Sequence, residues 1–159
     1  PLIHGGFQHL ISNSLPLLLL GTALLYGYPK ARWWSLLIIW LLSGVGVWLF
    51  ARESFHFGAS GLTHGLFFFL FVSGFLRRDK KSIALLFIAF FMYGGMLLSV
   101  FPNDPGISFE YHGFGALAGV LCAYLFRHSD LPAKKRYSWD IDPNSDEENM
   151  IGEEWRRDD

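Results

Sequence analysis

The stretch Gly58–Arg78, GASGLTHGLFFFLFVSGFLRR, carries no charge before Arg77 and sets Ser60 and His64 near the head of an apolar run. A soluble helix or strand would distribute its apolar residues by amphipathic period. Here they form one block of nearly twenty residues, the length that crosses the hydrocarbon of a bilayer. Working outward, the same reading gives apolar helices over residues 9–27, 34–51, 60–76, 82–100 and 110–127. The expected fold is an all-α, polytopic transmembrane bundle with five spans in residues 1–128.

Composition agrees with that reading. Of 159 residues, 52% are hydrophobic and 18% aromatic, and the mean hydropathy is +0.30, which excludes an ordinary soluble domain. Cys122 is the only cysteine, so no intramolecular disulfide can form. Pro16 falls inside the first span, a position membrane helices tolerate when neighbours satisfy the freed carbonyl. The chain opens on Pro1, without a recognisable signal peptide.

The net charge of −1 conceals two opposed parts. Residues 1–136 carry eleven Lys/Arg against five Asp/Glu, whereas residues 137–159 carry two against nine. The acidic end reads as a solvated, disordered tail over 129–159. Ten of the eleven positive charges fall on alternate connections: Lys30 and Arg32; Arg77, Arg78, Lys80 and Lys81; Arg127, Lys134, Lys135 and Arg136. By the positive-inside rule those connections and the C-terminus are cytoplasmic. The third and fifth helices then run parallel, and Ser60 and His112 start them at a shared depth near the outer face. His9 and Asn13, four residues apart on one face of the first helix, open it at the same end.

Ionisable groups inside apolar spans are costly and mark functional sites by default. His4, His9, His64 and His112 all lie at outer helix starts, while His56 and His128 read as solvated bystanders. Gly58 and Gly61 flank Ser60 and permit a tight opening turn. The Ser60 N–H lies in the unpaired first turn of its helix, where it can donate to an oxyanion. Gly115 and Gly119 follow His112 on one helix face, and Gly61 and Gly65 offer a matching pair on the third helix. Small residues at that spacing let two helices approach closely, as a hydrogen bond between a serine and a histidine on different helices requires. The phenylalanines Phe67, Phe68, Phe69 and Phe71 read as lipid- or core-facing packing rather than a gate.

The set His4-x4-His9-x3-Asn13, Gly58-Ala59-Ser60-Gly61 and His112-x2-Gly115-x3-Gly119 resembles the signature of the rhomboid intramembrane serine proteases, in that family's order over residues 4–125. The resemblance implies Ser60 as nucleophile and His112 as general base. It implies His9, Asn13 and the Ser60 N–H as the oxyanion hole, with His4 supporting the local network. It also implies transmembrane protein segments as substrates and the bacterial inner membrane as location. The family core has six spans, so this chain is expected to begin at the second. His64 stands where related bacterial enzymes often carry an aromatic residue packed on the catalytic histidine; it stacks in the same way or competes for the proton. Glu110 and Asp104 are poorly placed to orient His112, so a two-residue dyad is expected. No cofactor, metal or nucleic-acid partner is expected. The rival readings are a catalytically inactive relative that binds client helices, and a metal or haem site built from His4, His9, His64 and His112.

Overall fold

The computed structural model describes residues 3–52, 57–102 and 108–131. His56, Asp104 and the acidic tail beyond Leu131 lie outside the described residues. Five α-helices follow one another: α1 Phe7–Gly27, α2 Arg32–Phe50, α3 Ser60–Arg77, α4 Lys80–Tyr93 and α5 Phe109–Leu125. No strand occurs among the described residues. Four segments are long and apolar enough to cross a membrane: α1, α2, α3, and α4 together with the 3-10 turn Gly94–Leu97 that follows it. The sequence reading gave five spans. The fifth, α5, has 17 residues and carries Glu110 in its first turn, so at 1.5 Å per residue it reaches only about 25 Å.

Helix boundaries follow local chemistry. Asp79 caps α4, its carboxylate accepting from the Ser82 N–H at 3.1 Å and the Ser82 hydroxyl at 2.7 Å. Burial pushes the Asp79 carboxyl up, but the Ser82 hydrogen bonds and Arg77 outweigh it and hold the group below the usual range. Arg78 ends α3 in the left-handed region at φ 56°. The expected single helix over 82–100 is not found: α4 stops at Tyr93 and the chain tightens into the 3-10 turn. Gly94 and Gly95, the poorest helix formers after proline, stand at the break.

The core lies around α3, which packs on all four other helices and most extensively on α5. Leu66, Phe67, Phe69 and Leu70 of α3 meet Leu20 and Leu24 of α1, Ile39 of α2 and Cys122 of α5, all essentially without solvent contact. Thus Phe67 and Phe69 are core, as expected of packing residues. Many apolar side chains remain exposed on the outside of the bundle. Trp33 and Trp34 at one end of α2 and Trp48 at the other are largely exposed, the placement that headgroup-level aromatics take.

At two points of the α3–α5 seam, main chain of one helix leaves no room for a side chain on the other. A Cβ added to Gly115 would lie 2.0 Å from the Gly61 carbonyl oxygen, and one on Gly119 would lie 2.1 Å from that of Gly65. The two glycine pairs expected to match do so, residue against residue.

At the far end from Ser60, charged groups tie the helix ends together. The Asp130 carboxylate accepts from the Lys30 N–H at 2.9 Å and the Ala31 N–H at 3.1 Å, holding the start of α2. Its main-chain carbonyl accepts from Arg77. The Arg77 side chain, 1% exposed, also pairs with Asp79 at 3.2 Å and lies over the Tyr28 ring at 4.9 Å. Arg77, counted above only as a loop charge, is therefore a buried tie. We predict that Asp130→Ala destabilises the bundle by about 1–3 kcal/mol, because two amides at a helix start lose a charged acceptor. Asp130→Asn, which keeps one acceptor oxygen, loses less. Thermal unfolding in detergent measures both, and an unchanged midpoint in Asp130→Ala would refute the tie.

Candidate active site

Ser60 is the first residue of α3, where the main-chain N–H has no partner within the helix. Its carbonyl is loaded by two side chains of the next turn, the Thr63 hydroxyl at 2.9 Å and His64 Nδ1 at 2.7 Å. Those bonds fix the Ser60 peptide. The side chain itself, half-buried, faces a cavity of about 550 Å³ that His9, Asn13, His64 and His112 also line. Residues from three helices thus meet in one hollow, as the sequence reading expected. Among the described residues no hydrogen bond joins Ser60 Oγ to His112; the two groups share the cavity.

His112 sits in the first turn of α5, 9% exposed. Its Nδ1 lies 3.0 Å from the Ser99 carbonyl oxygen. A carbonyl only accepts, so Nδ1 carries the proton and Nε2 holds the lone pair. His64 stacks on this ring face to face, with centroids 3.8 Å apart and planes 10° from parallel. The stacked alternative for His64 is therefore the one observed. His64 Nδ1 donates to the Ser60 carbonyl, and its Nε2 lies 2.7 Å from Ser99 Oγ. Ser99 was not singled out in the sequence. Its position depends on the turn after α4, where the Leu98 and Ser99 amides return to the Gly95 carbonyl; the Gly94-Gly95 pair is the one local sign of it.

His9 and Asn13 converge beside Ser60. A Cβ on Gly58 would lie 2.7 Å from His9 Nε2 and 3.0 Å from Asn13 Nδ2, and Gly58 has φ +88°. Only glycine takes that conformation without strain, and its missing side chain leaves the space into which both groups point. The Gly58 N–H donates to the Ile3 carbonyl at 2.7 Å, which fastens the segment before α1 to the turn before α3. Asn13 is 5% exposed and its amide also donates to the His9 carbonyl at 3.0 Å. His4 does not line the cavity; it meets the His9 ring edge-on at 5.4 Å, and its buried Nε2 has no partner among the described residues. Gly61, Gly115 and Gly119 act through the seam rather than in the hollow.

Glu110, two residues before His112, turns away from it and pairs with Arg52 at the end of α2 at 3.1 Å. Among the described residues no group of three or more His, Cys, Asp or Glu is arranged to hold a metal ion. The four histidines form two pairs, His4 with His9 and His64 with His112, each in ring contact.

Comparison with known proteins gives a consistent picture. An uncharacterized protein of Mycobacterium tuberculosis is 36% identical over 143 residues, covering 84% of this chain and 60% of that protein. One of Mycobacterium leprae is 37% identical over 135 residues, covering 79% and 53%. The Bacillus subtilis protein named "Putative rhomboid protease YdcA" is 29% identical over 134 residues, covering 78% and 63%. The chain therefore spans between 53% and 63% of the length of these relatives. No solved structure matches it. The Rhomboid domain model matches residues 1–129, and with its apolar helical bundle the chain belongs to the rhomboid family of integral membrane proteins.

Proposed function

We propose that the protein is an intramembrane serine protease working through a Ser60–His112 dyad, on transmembrane segments of other proteins. The observation that carries this reading is the cavity in which Ser60, His112, His9 and Asn13 meet at one end of the bundle. Ser60 Oγ attacks the scissile carbonyl carbon and passes its proton to His112 Nε2, the ring nitrogen left with a lone pair once Nδ1 donates to Ser99. The oxyanion that forms accepts from the Ser60 N–H, His9 and Asn13. Collapse breaks the C–N bond, and the imidazolium returns its proton to the departing amine. Water, deprotonated by His112, then hydrolyses the acyl-enzyme and frees Ser60.

Charge distribution supports an orientation. The clusters Lys30/Arg32, Arg77–Lys81 and Arg127 share the bundle end opposite Ser60, so we place that end and the C-terminus in the cytoplasm and the cavity near the outer face. The inner membrane of a bacterium is the proposed location.

The test is labelling of the detergent-solubilised protein by a fluorophosphonate, which reacts with an activated serine. Wild type is expected to label, while Ser60→Ala and His112→Ala lose labelling to background with their thermal unfolding preserved. A folded wild-type protein that does not label would refute the dyad and favour a catalytically inactive relative that binds client helices.

A further inference from the structure

We propose that Ser99 is a positioning residue that governs the two stacked histidines of the cavity, its carbonyl orienting His112 and its hydroxyl holding His64 neutral against it. The proposal rests on the protease reading above and assigns a part to a residue outside its motifs.

The two stacked rings have four nitrogens. Three have partners: His64 Nδ1 with the Ser60 carbonyl at 2.7 Å, His64 Nε2 with Ser99 Oγ at 2.7 Å, and His112 Nδ1 with the Ser99 carbonyl at 3.0 Å. Both carbonyls can only accept, so both Nδ1 atoms carry protons. His64 Nε2 is then a lone pair in its neutral form, and the matching partner is a hydroxyl proton. Ser99 supplies one. That leaves His112 Nε2 as the single ring nitrogen without a partner among the described residues, and so as the atom free to take the proton of Ser60.

The Ser99 hydroxyl has a second acceptor within reach, the Met96 carbonyl at 3.2 Å. It has one proton to give. Directed at His64, it fixes that ring as neutral; directed at Met96, it leaves its own lone pairs to accept from a protonated His64. This choice matters because His112 becomes positive when it deprotonates Ser60. A second positive ring stacked 3.8 Å away would oppose that step. An aromatic hydrocarbon in place of His64 would stack without this difficulty. Histidine here needs a donor at Nε2, and Ser99 is that donor. The 3-10 turn at Gly94–Leu97 brings it there from the end of α4.

The hydroxyl acts on Ser60 only through His64, and that gives the test its form. Rates of fluorophosphonate labelling are compared for wild type, Ser99→Ala, Ser99→Thr, His64→Phe and the double variant Ser99→Ala with His64→Phe, each checked for folding by thermal unfolding. Ser99→Ala is expected to label about fivefold more slowly, the weight of one neutral hydrogen bond. Ser99→Thr, which keeps the hydroxyl, is expected to recover most of that loss. In the His64→Phe background the Ser99→Ala change is expected to have no further effect, the non-additivity of groups acting as a unit. Equal slowing by Ser99→Ala in both backgrounds, or a wild-type rate in Ser99→Ala, would overturn the proposal. A wild type that does not label overturns the protease reading itself, a result separate from any ordering among the variants.

Discussion

Replacing Gly115 with alanine is expected to dismantle the bundle. The new methyl would stand 2.0 Å from the Gly61 carbonyl oxygen, where real contacts stay beyond 3.0 Å, so α3 and α5 would have to separate by about 1 Å. The obstructing atom is main chain in the first turn of a packed helix, and it cannot rotate aside. Overpacking of rigid neighbours costs about 1–3 kcal/mol at ordinary core sites. This site belongs above that range, because separation also opens the neighbouring contact between Gly119 and Gly65, itself at 2.1 Å for an added methyl. The double change Gly115→Ala with Gly119→Ala is expected to leave no folded protein. Gly113, on the same helix with nothing within 4 Å of an added methyl, provides the comparison: Gly113→Ala should unfold at or slightly above the wild-type temperature, since alanine is the better helix former. Equal midpoints for Gly113→Ala and Gly115→Ala would show that the seam is looser than described. Any Gly115→Ala protein that does fold should label slowly, since Ser60 and His112 open the two helices that were pushed apart, and about 1 Å of misplacement costs on the order of a hundredfold.

The second large effect is expected at Gly58 and should fall on reactivity. Alanine there meets His9 Nε2 at 2.7 Å and Asn13 Nδ2 at 3.0 Å, and must hold φ +88°. The backbone strain costs about 1–2 kcal/mol, which a helical bundle can survive. The displaced donors matter more. Loss of one oxyanion-hole donor lowers turnover by about 10²–10³ in enzymes where it has been removed, and here both side chains proposed as donors are moved together. Gly58→Ala should therefore melt within several degrees of wild type yet label and cleave at least about a hundredfold more slowly. His9→Ala and Asn13→Ala should each reproduce part of the loss. Should Gly58→Ala react at the wild-type rate, His9 and Asn13 do not serve the carbonyl that Ser60 attacks.

Much of this arrangement was legible in the sequence because it rests on short-range rules. Apolar blocks give helices; glycines at i and i+4 on two helices give a close seam; and a serine and a histidine opening parallel helices share a depth. The pair Gly61 and Gly65 could be matched to the pair Gly115 and Gly119 by spacing alone, while which residue meets which is set by the packing. What escaped depends on distance along the chain or on small departures from regularity. Asp130 holds Lys30 and Ala31 across a hundred residues, and no local pattern marks either partner. Arg77 looked like one more loop charge, because burial of a guanidinium depends on acceptors contributed by other segments. Ser99 lies in an apolar stretch that reads as unbroken helix, and only the change of pitch after Tyr93 turns its carbonyl and hydroxyl toward the two rings.

The glycine seam also bears on how such a protein can change over generations. Where side chains meet, a lost methyl on one helix can be answered by a gained one on its neighbour, and cores drift by such exchanges. Where Gly115 and Gly119 meet the Gly61 and Gly65 carbonyls there is no smaller residue to retreat to and no partner side chain to trim. Those positions are closed to gradual exploration. Change has to be written on the other helices and connections, around a hub that inheritance can only copy or break.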